Sequence, residues 1–304
     1  MKEIKNVYDG KSAFIVGELV ACGCQALRAV ELDKAAEDFG VTKYKLNKIK
    51  TALGSETNWN EAITHESSNV RIACVRQGVG LETLVNDPNW LVRAEVAKHG
   101  FGLETLVEDP DWSVRREVAK QGFGLDILVN DEESDVRKEV AKQGYRLDTL
   151  VKDKYWMVRY EVAKSGFGLE TLVNDEDSDV REEVAKHGFG LETLVNDHNW
   201  VVRAEVARKG YDLDILVNDE IPGVRFEVAK QGFGLGTLVQ DPIWTVRREV
   251  VRQGFQLETL VNDKHWMVRR EVAIHGFGLE TLVNDEDSDV RFEAEKQRKM
   301  LTNI

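Results

Sequence analysis

The sequence predicts an all-α solenoid of eleven 22-residue repeats with a small helical N-terminal domain. Three observations predict it. Arginine follows valine at 71, 93, 115, 137, 159, 181, 203, 225, 247, 269 and 291, a spacing of 22 residues every time. Each unit has room for one helix and one short helical turn, and too little for two full helices with their connections. No stretch reads as a convincing strand. A unit this short cannot bury its apolar face alone, so stacked neighbours must make the core. The array is expected over 59–304 and the helical N-terminal domain over 1–58.

The unit opened by Asp87 shows how each element is encoded. Asp87 is a candidate N-cap, because its carboxylate can accept a free backbone N–H of the first helical turn. Pro88 would then stand at the first helical position, where its missing N–H costs nothing. Gly100 ends the helix, with Lys98 and His99 near the negative end of its dipole. That leaves a helix of about twelve residues between these signals. Phe101-Gly102 turns the chain, and Leu103 to Val107 is long enough only for a short α or 3₁₀ turn. The first unit, from Trp59, is degenerate: WNEAITHESSNVRIACVRQG stands where LETLVNDPNWLVRAEVAKHG is usual.

On a helical wheel Val92, Val96 and His99 cluster, with Trp90 and Ala97 adjoining. Leu91, Ala94, Glu95 and Lys98 share the opposite side. Arg93 falls within the apolar arc, where an unpaired guanidinium would be costly. The recurrent acid that can pair with it is the Asp opening each helix, which predicts an Asp–Arg ladder. The tryptophans at 90, 112, 156, 200, 244 and 266 share one repeat position and are expected to pack between repeats. The DEESD and DEDSD helix starts are expected to cap helices, since they lack the spacing of a Ca²⁺ loop.

The pattern D-x-x-x-x-V-R-x-E-V-A, followed by a turn and L-x-x-L, resembles the leucine-rich repeat variant family. It is also similar to HEAT-like repeats, whose units are longer and contain two helices. The first resemblance implies an α-helix and a 3₁₀ helix per repeat, stacked into a right-handed superhelix. It covers roughly residues 59–297. The turn here is Gly-Phe-Gly, where the family often has Asn-Pro. Some members carry an N-terminal iron–sulfur cluster, but Cys22 and Cys24 cannot supply four thiolates. No cofactor and no metal site are expected. Cys74 aligns with Val96 and reads as a small core residue.

Composition narrows the function. Hydrophobic residues are 42% and charged residues 31% of the 304, as in a soluble folded protein. No apolar run is long enough for a membrane helix, the N-terminus lacks a signal-peptide layout, and three cysteines build no disulfide framework. A cytoplasmic location is expected. Residues 1–58 carry 9 Lys+Arg against 8 Asp+Glu, whereas 59–304 carry 32 against 46. The array should therefore repel nucleic acid phosphates on average.

The positions that change between repeats are the candidate binding residues. Arg116, Lys138, Met157, Tyr160, Glu182, Phe226, Arg248, Met267 and Arg270 lie on the expected solvent stripe, where aromatic and arginine side chains can anchor a protein partner. No repeat offers a singular acid or a Ser/His/Asp constellation, so no catalytic residue is assigned. The N-terminal stretch LDKAAEDFGVTKYKLNKIKTALG has the spacing of a helix-turn-helix, with Gly40 at the turn. Its second helix would bring Lys43, Tyr44, Lys45, Asn47 and Lys48 toward DNA; a simple helical cap on the first repeat is the competing reading. Such a domain would also allow dimerisation. The leading expectation is a non-enzymatic protein-binding scaffold. The alternatives are a DNA-associated regulator or nucleic-acid-mimicking inhibitor, and a HEAT-like DNA-acting enzyme.

Overall fold

The computed structural model describes residues 59–302, with the side chains of Glu61 and Thr302 excepted. Every regular element among the described residues is a helix. None of these helices is long and apolar enough to cross a membrane. The repeats pack as two compact units, the first ending at Arg146 and the second beginning at Leu147. The helix-turn-helix stretch and its candidate residues Lys43, Tyr44, Lys45, Asn47 and Lys48 lie outside the described residues.

Within each unit the pattern is the same: a nine-residue helix, a tight turn and a four-residue helix. The helix Trp90–Lys98 is followed by Leu103–Leu106, then Trp112–Lys120 by Leu125–Leu128. The last long helix departs from this and runs 15 residues, Ser288–Thr302. Successive long helices lie against one another, which makes each unit a helical solenoid.

The N-cap expectation needs correction. The helix begins at Trp90, and Asn89 caps it by accepting the Leu91 N–H at 2.9 Å. Asp87 instead accepts the Asn89 N–H at 2.8 Å, a side-chain turn that precedes the helix. Two local acceptors in series bring the chain into the helix, so the helix is nine residues long rather than about twelve. The C-terminal end follows the expectation. Gly100 is left-handed at φ 77°, its N–H bonds Ala97 O at 2.8 Å, and the Phe101 N–H reaches Val96 O at 3.3 Å. This is the Schellman arrangement, which returns the chain across the end of its own helix.

Gly102 shows why the turn carries a second glycine. Its φ is 62°, and a Cβ there would come within 2.5 Å of Val85 Cγ2 in the preceding repeat. The four-residue helix closes as an α-turn, Val107 N–H to Leu103 O at 2.9 Å, with three-residue bonds at both ends. Each repeat then contributes the same core set: Val92, Val96 and Ala97 from the long helix, and Leu106 and Val107 from the short one, all buried. Burying each such Val or Leu contributes about 1.5–3 kcal/mol.

Candidate functional site

Two networks of charge run along the stacked long helices, and together they define which surface is left over. The first is the expected Asp–Arg ladder. Arg93 Nε and Nη2 donate to the two carboxylate oxygens of Asp109 at 2.6 and 2.8 Å, while Nη1 donates to Asp87 O at 2.8 Å. The fork therefore joins the turn of its own repeat to the turn of the next. The same geometry holds at Arg71–Asp87 and Arg115–Asp131 in the first unit. In the second it holds at Arg159–Asp175, Arg181–Asp197, Arg203–Asp219, Arg225–Asp241, Arg247–Asp263 and Arg269–Asp285. The Asp hydrogen bonds hold these guanidinium groups above their ordinary pKa, against the opposing effect of burial. Burial alone would raise the carboxyl of Asp197. The Arg181 fork and the Asn199 N–H outweigh it and hold the group below the usual range.

The second network was not legible in the sequence. The glutamate two residues after each ladder arginine was placed with the solvent side of the wheel. Instead Glu139, Glu183, Glu205, Glu227, Glu249 and Glu293 are buried. The neighbouring helix of the stack covers the flank that an isolated wheel leaves open. These carboxylates are compensated by the basic residue one turn later. Lys142 reaches Glu139 at 3.1 Å. Arg208 bridges repeats, with Glu205 at 2.8 Å and Glu227 at 3.0 Å. Arg252 does the same to Glu249 and Glu271, at 3.3 and 3.2 Å.

Between the two networks lies the variable column. Arg116, Lys138, Tyr160, Glu182, Phe226, Arg248 and Arg270 occupy one repeat position, and all are half-buried. Arg116 and Lys138 belong to the first unit and the other five to the second. Met157 and Met267, three residues earlier in their helices, are half-buried too. Four residues before the column stands the tryptophan, on the same helix face. Arg116 lies over Trp112 at 5.3 Å and Arg248 over Trp244 at 5.1 Å. Tyr160 meets Trp156 edge to face at 6.4 Å. Burial and the adjacent Glu183 raise the Tyr160 hydroxyl above its ordinary pKa. The charged members have close partners: Lys138 with Asp135 at 2.7 Å, Glu182 with Lys186 at 3.1 Å, and Arg270 with Glu293 at 3.5 Å.

The tryptophans do two things at once. Trp200 lies over Gly223 of the next repeat, where a Cβ would come within 2.9 Å of the ring. Trp244 stacks on His265 of the next repeat, centroids 4.3 Å apart. That is the expected packing between repeats. Yet Trp90, Trp112, Trp156 and Trp200 stay 37–45% exposed. An indole pinned on one side and open on the other is a rigid contact surface.

No family model matches this chain. No curated protein matches it either. The resemblance to leucine-rich repeat variants and HEAT-like repeats thus rests on the repeat pattern itself, and the structure supports it at the level of a 22-residue helical repeat. Among the described residues no group of three or more His, Cys, Asp or Glu is placed to hold a metal ion.

Proposed function

We propose that the chain is a non-enzymatic scaffold that holds a protein partner against the long-helix face. One observation carries this reading. The buried ladders repeat almost unchanged, while the column between them changes identity from repeat to repeat beside half-exposed indoles. Invariant parts build the stack; variable parts give each repeat its own contact, and aromatic and arginine side chains are the residues that anchor interfaces. Residues 157, 160, 182, 226, 248, 267 and 270 of the second unit are the proposed contacts there, with Arg116 and Lys138 those of the first. A repeated ion pair gives no single residue a chemical role that its counterparts lack, which favours binding over catalysis. A cytoplasmic setting fits a sequence with only three cysteines.

A photo-reactive side chain in place of Phe226, in the full chain, tests this in the host cell. Cross-linking to one protein, lost when Tyr160 and Arg248 are both changed to alanine, is the expected result. Cross-links only to nucleic acid, or to nothing above a control at Ile127, would overturn it. The helix-turn-helix spacing of the N-terminal segment supports a second reading, a DNA-associated regulator. Nuclease treatment before capture separates the two, because only that reading loses its partner.

A further inference from the structure

One charged member of the variable column has no counter-ion. Arg116, Lys138, Glu182 and Arg270 meet opposite charges at 3.2, 2.7, 3.1 and 3.5 Å. Arg248 meets none among the described residues. Its guanidinium lies over the Trp244 ring at 5.1 Å, and its buried Nε has no acceptor. The cause is the arginine one turn later. Arg252 reaches Glu249 at 3.3 Å and also Glu271, the counterpart of the Glu293 that pairs with Arg270, at 3.2 Å. Gln253 takes the other oxygen of Glu249 at 3.3 Å. Both carboxylates that could serve Arg248 are thus engaged. Other repeats avoid this. Arg208 makes the same double bridge, but Ala204 stands in its column and no cation is left over. Lys120 reaches only Glu117, which also serves Arg116.

We propose that Arg248, held on Trp244, receives a carboxylate of the protein partner: an aspartate or glutamate set among apolar side chains. This rests on the reading of the long-helix face as a protein-binding surface and names the chemistry of what it binds. A half-buried guanidinium stacked on an indole is fixed in place, and a carboxylate is the group its fork matches. The apolar part has its own contacts, since Phe226 and Met267 in the flanking repeats are half-buried and Ile243 is exposed. Local charge agrees. Residues 241–274 carry six Lys+Arg and five Asp+Glu in a chain of net charge −13, and Arg270 adds a second cation to the same stretch of the column. A single acid on an apolar segment meets this local balance, whereas a polyanion such as nucleic acid would meet the acidic array as a whole.

The test selects random dodecapeptides displayed on phage against the full chain, in parallel with Arg248→Met. Methionine keeps an apolar contact on Trp244 without the charge, and Arg248 has no ion pair whose loss would strand a carboxylate. Peptides lost on Arg248→Met should share an Asp or Glu beside apolar residues. In fluorescence anisotropy, replacing that acid by its amide in a synthetic copy should weaken binding about tenfold. The amide and Arg248→Met together should weaken it no further than either alone. Arg252→Lys, which frees a glutamate for Arg248, should weaken it too. Arg248-dependent peptides that lack an acid would overturn the proposal. So would Arg248-dependent binding of fluorescein-labelled oligothymidine in place of peptides. Peptides lost on Phe226→Ala but kept on Arg248→Met would overturn it and leave the protein-binding surface standing. No peptide dependent on any residue of the face would remove both.

Discussion

The Asp–Arg seam and the glutamate column run along the same helices, use the same two charge types and behave differently. Along the seam each guanidinium is held at five or six points of a fixed geometry: a bidentate carboxylate, one or two turn carbonyls, and the walls of two repeats. Along the glutamate column the contacts are single and the basic partner is a half-exposed Lys or Arg that bridges to a neighbour in some repeats only. The seam therefore keeps one basic residue type, Arg, while the column keeps its Glu and exchanges the basic partner, as in Lys186, Arg208 and Ile274. An ion pair becomes part of the scaffold when both partners are desolvated and forked, because removing either then strands a buried charge. Near water the same pair contributes little.

The sharpest way to break this contrast is to cut the seam. Arg181 is 4% exposed, and both Arg181→Ala and Asp197→Ala should lower unfolding stability by about 3–5 kcal/mol. Urea melts would check it; a loss under about 1 kcal/mol would put seam and column in one class. Arg208→Ala, which releases Glu205 and Glu227 together, should cost about 1–2 kcal/mol, less than the seam because its own head is partly solvated. Its effect should shrink in high salt, whereas that of Arg181→Ala should persist.

Acid bears on both networks, since Asp197 and Asp285 of the seam and Glu293 of the column are all held below their ordinary values. Asp197 and Asp285 have depressed folded values, so the stability they contribute is fully present above the ordinary aspartate value of about 3.9. It is lost as pH falls through their lowered folded values. Cooperative unfolding confined to that acid range is the expected outcome. Asp197→Ala should flatten the acid limb, and an unchanged slope in that variant would contradict the assignment.

The smallest effect sharpens the comparison from the backbone side. Asp212 and Gln256 sit at φ 46° and 48° where most repeats have glycine. Asp212→Gly relieves a left-handed residue on the turn and should raise stability by about 0.5–1 kcal/mol. A calorimetric melting temperature that does not rise would mean that the side chain at 212 makes compensating contacts.

The recurrence of Val-Arg at 22 residues, the Gly100-type stop and the Leu-x-x-Leu turn made the helical repeat, its core valines and the Asp–Arg pairing legible in the sequence. Each of these is either local or forced by a single buried charge with one recurrent partner. Three features were decided only by tertiary structure. Helix entry moved from Asp87 to Asn89, because Asp87 was recruited by Arg71 of the preceding repeat and left the cap to its neighbour. The glutamate column became buried, because a stacked helix is covered on its flanks as well as on the face that its wheel predicts. Trp200 is 45% exposed whereas Trp244, at the same repeat position, is half-buried with His265 stacked on it, since identical residues differ in burial through what lies on the next repeat. Sequence periodicity specifies what every repeat shares; the stack decides what each position meets, because burial depends on neighbours that a single repeat does not contain.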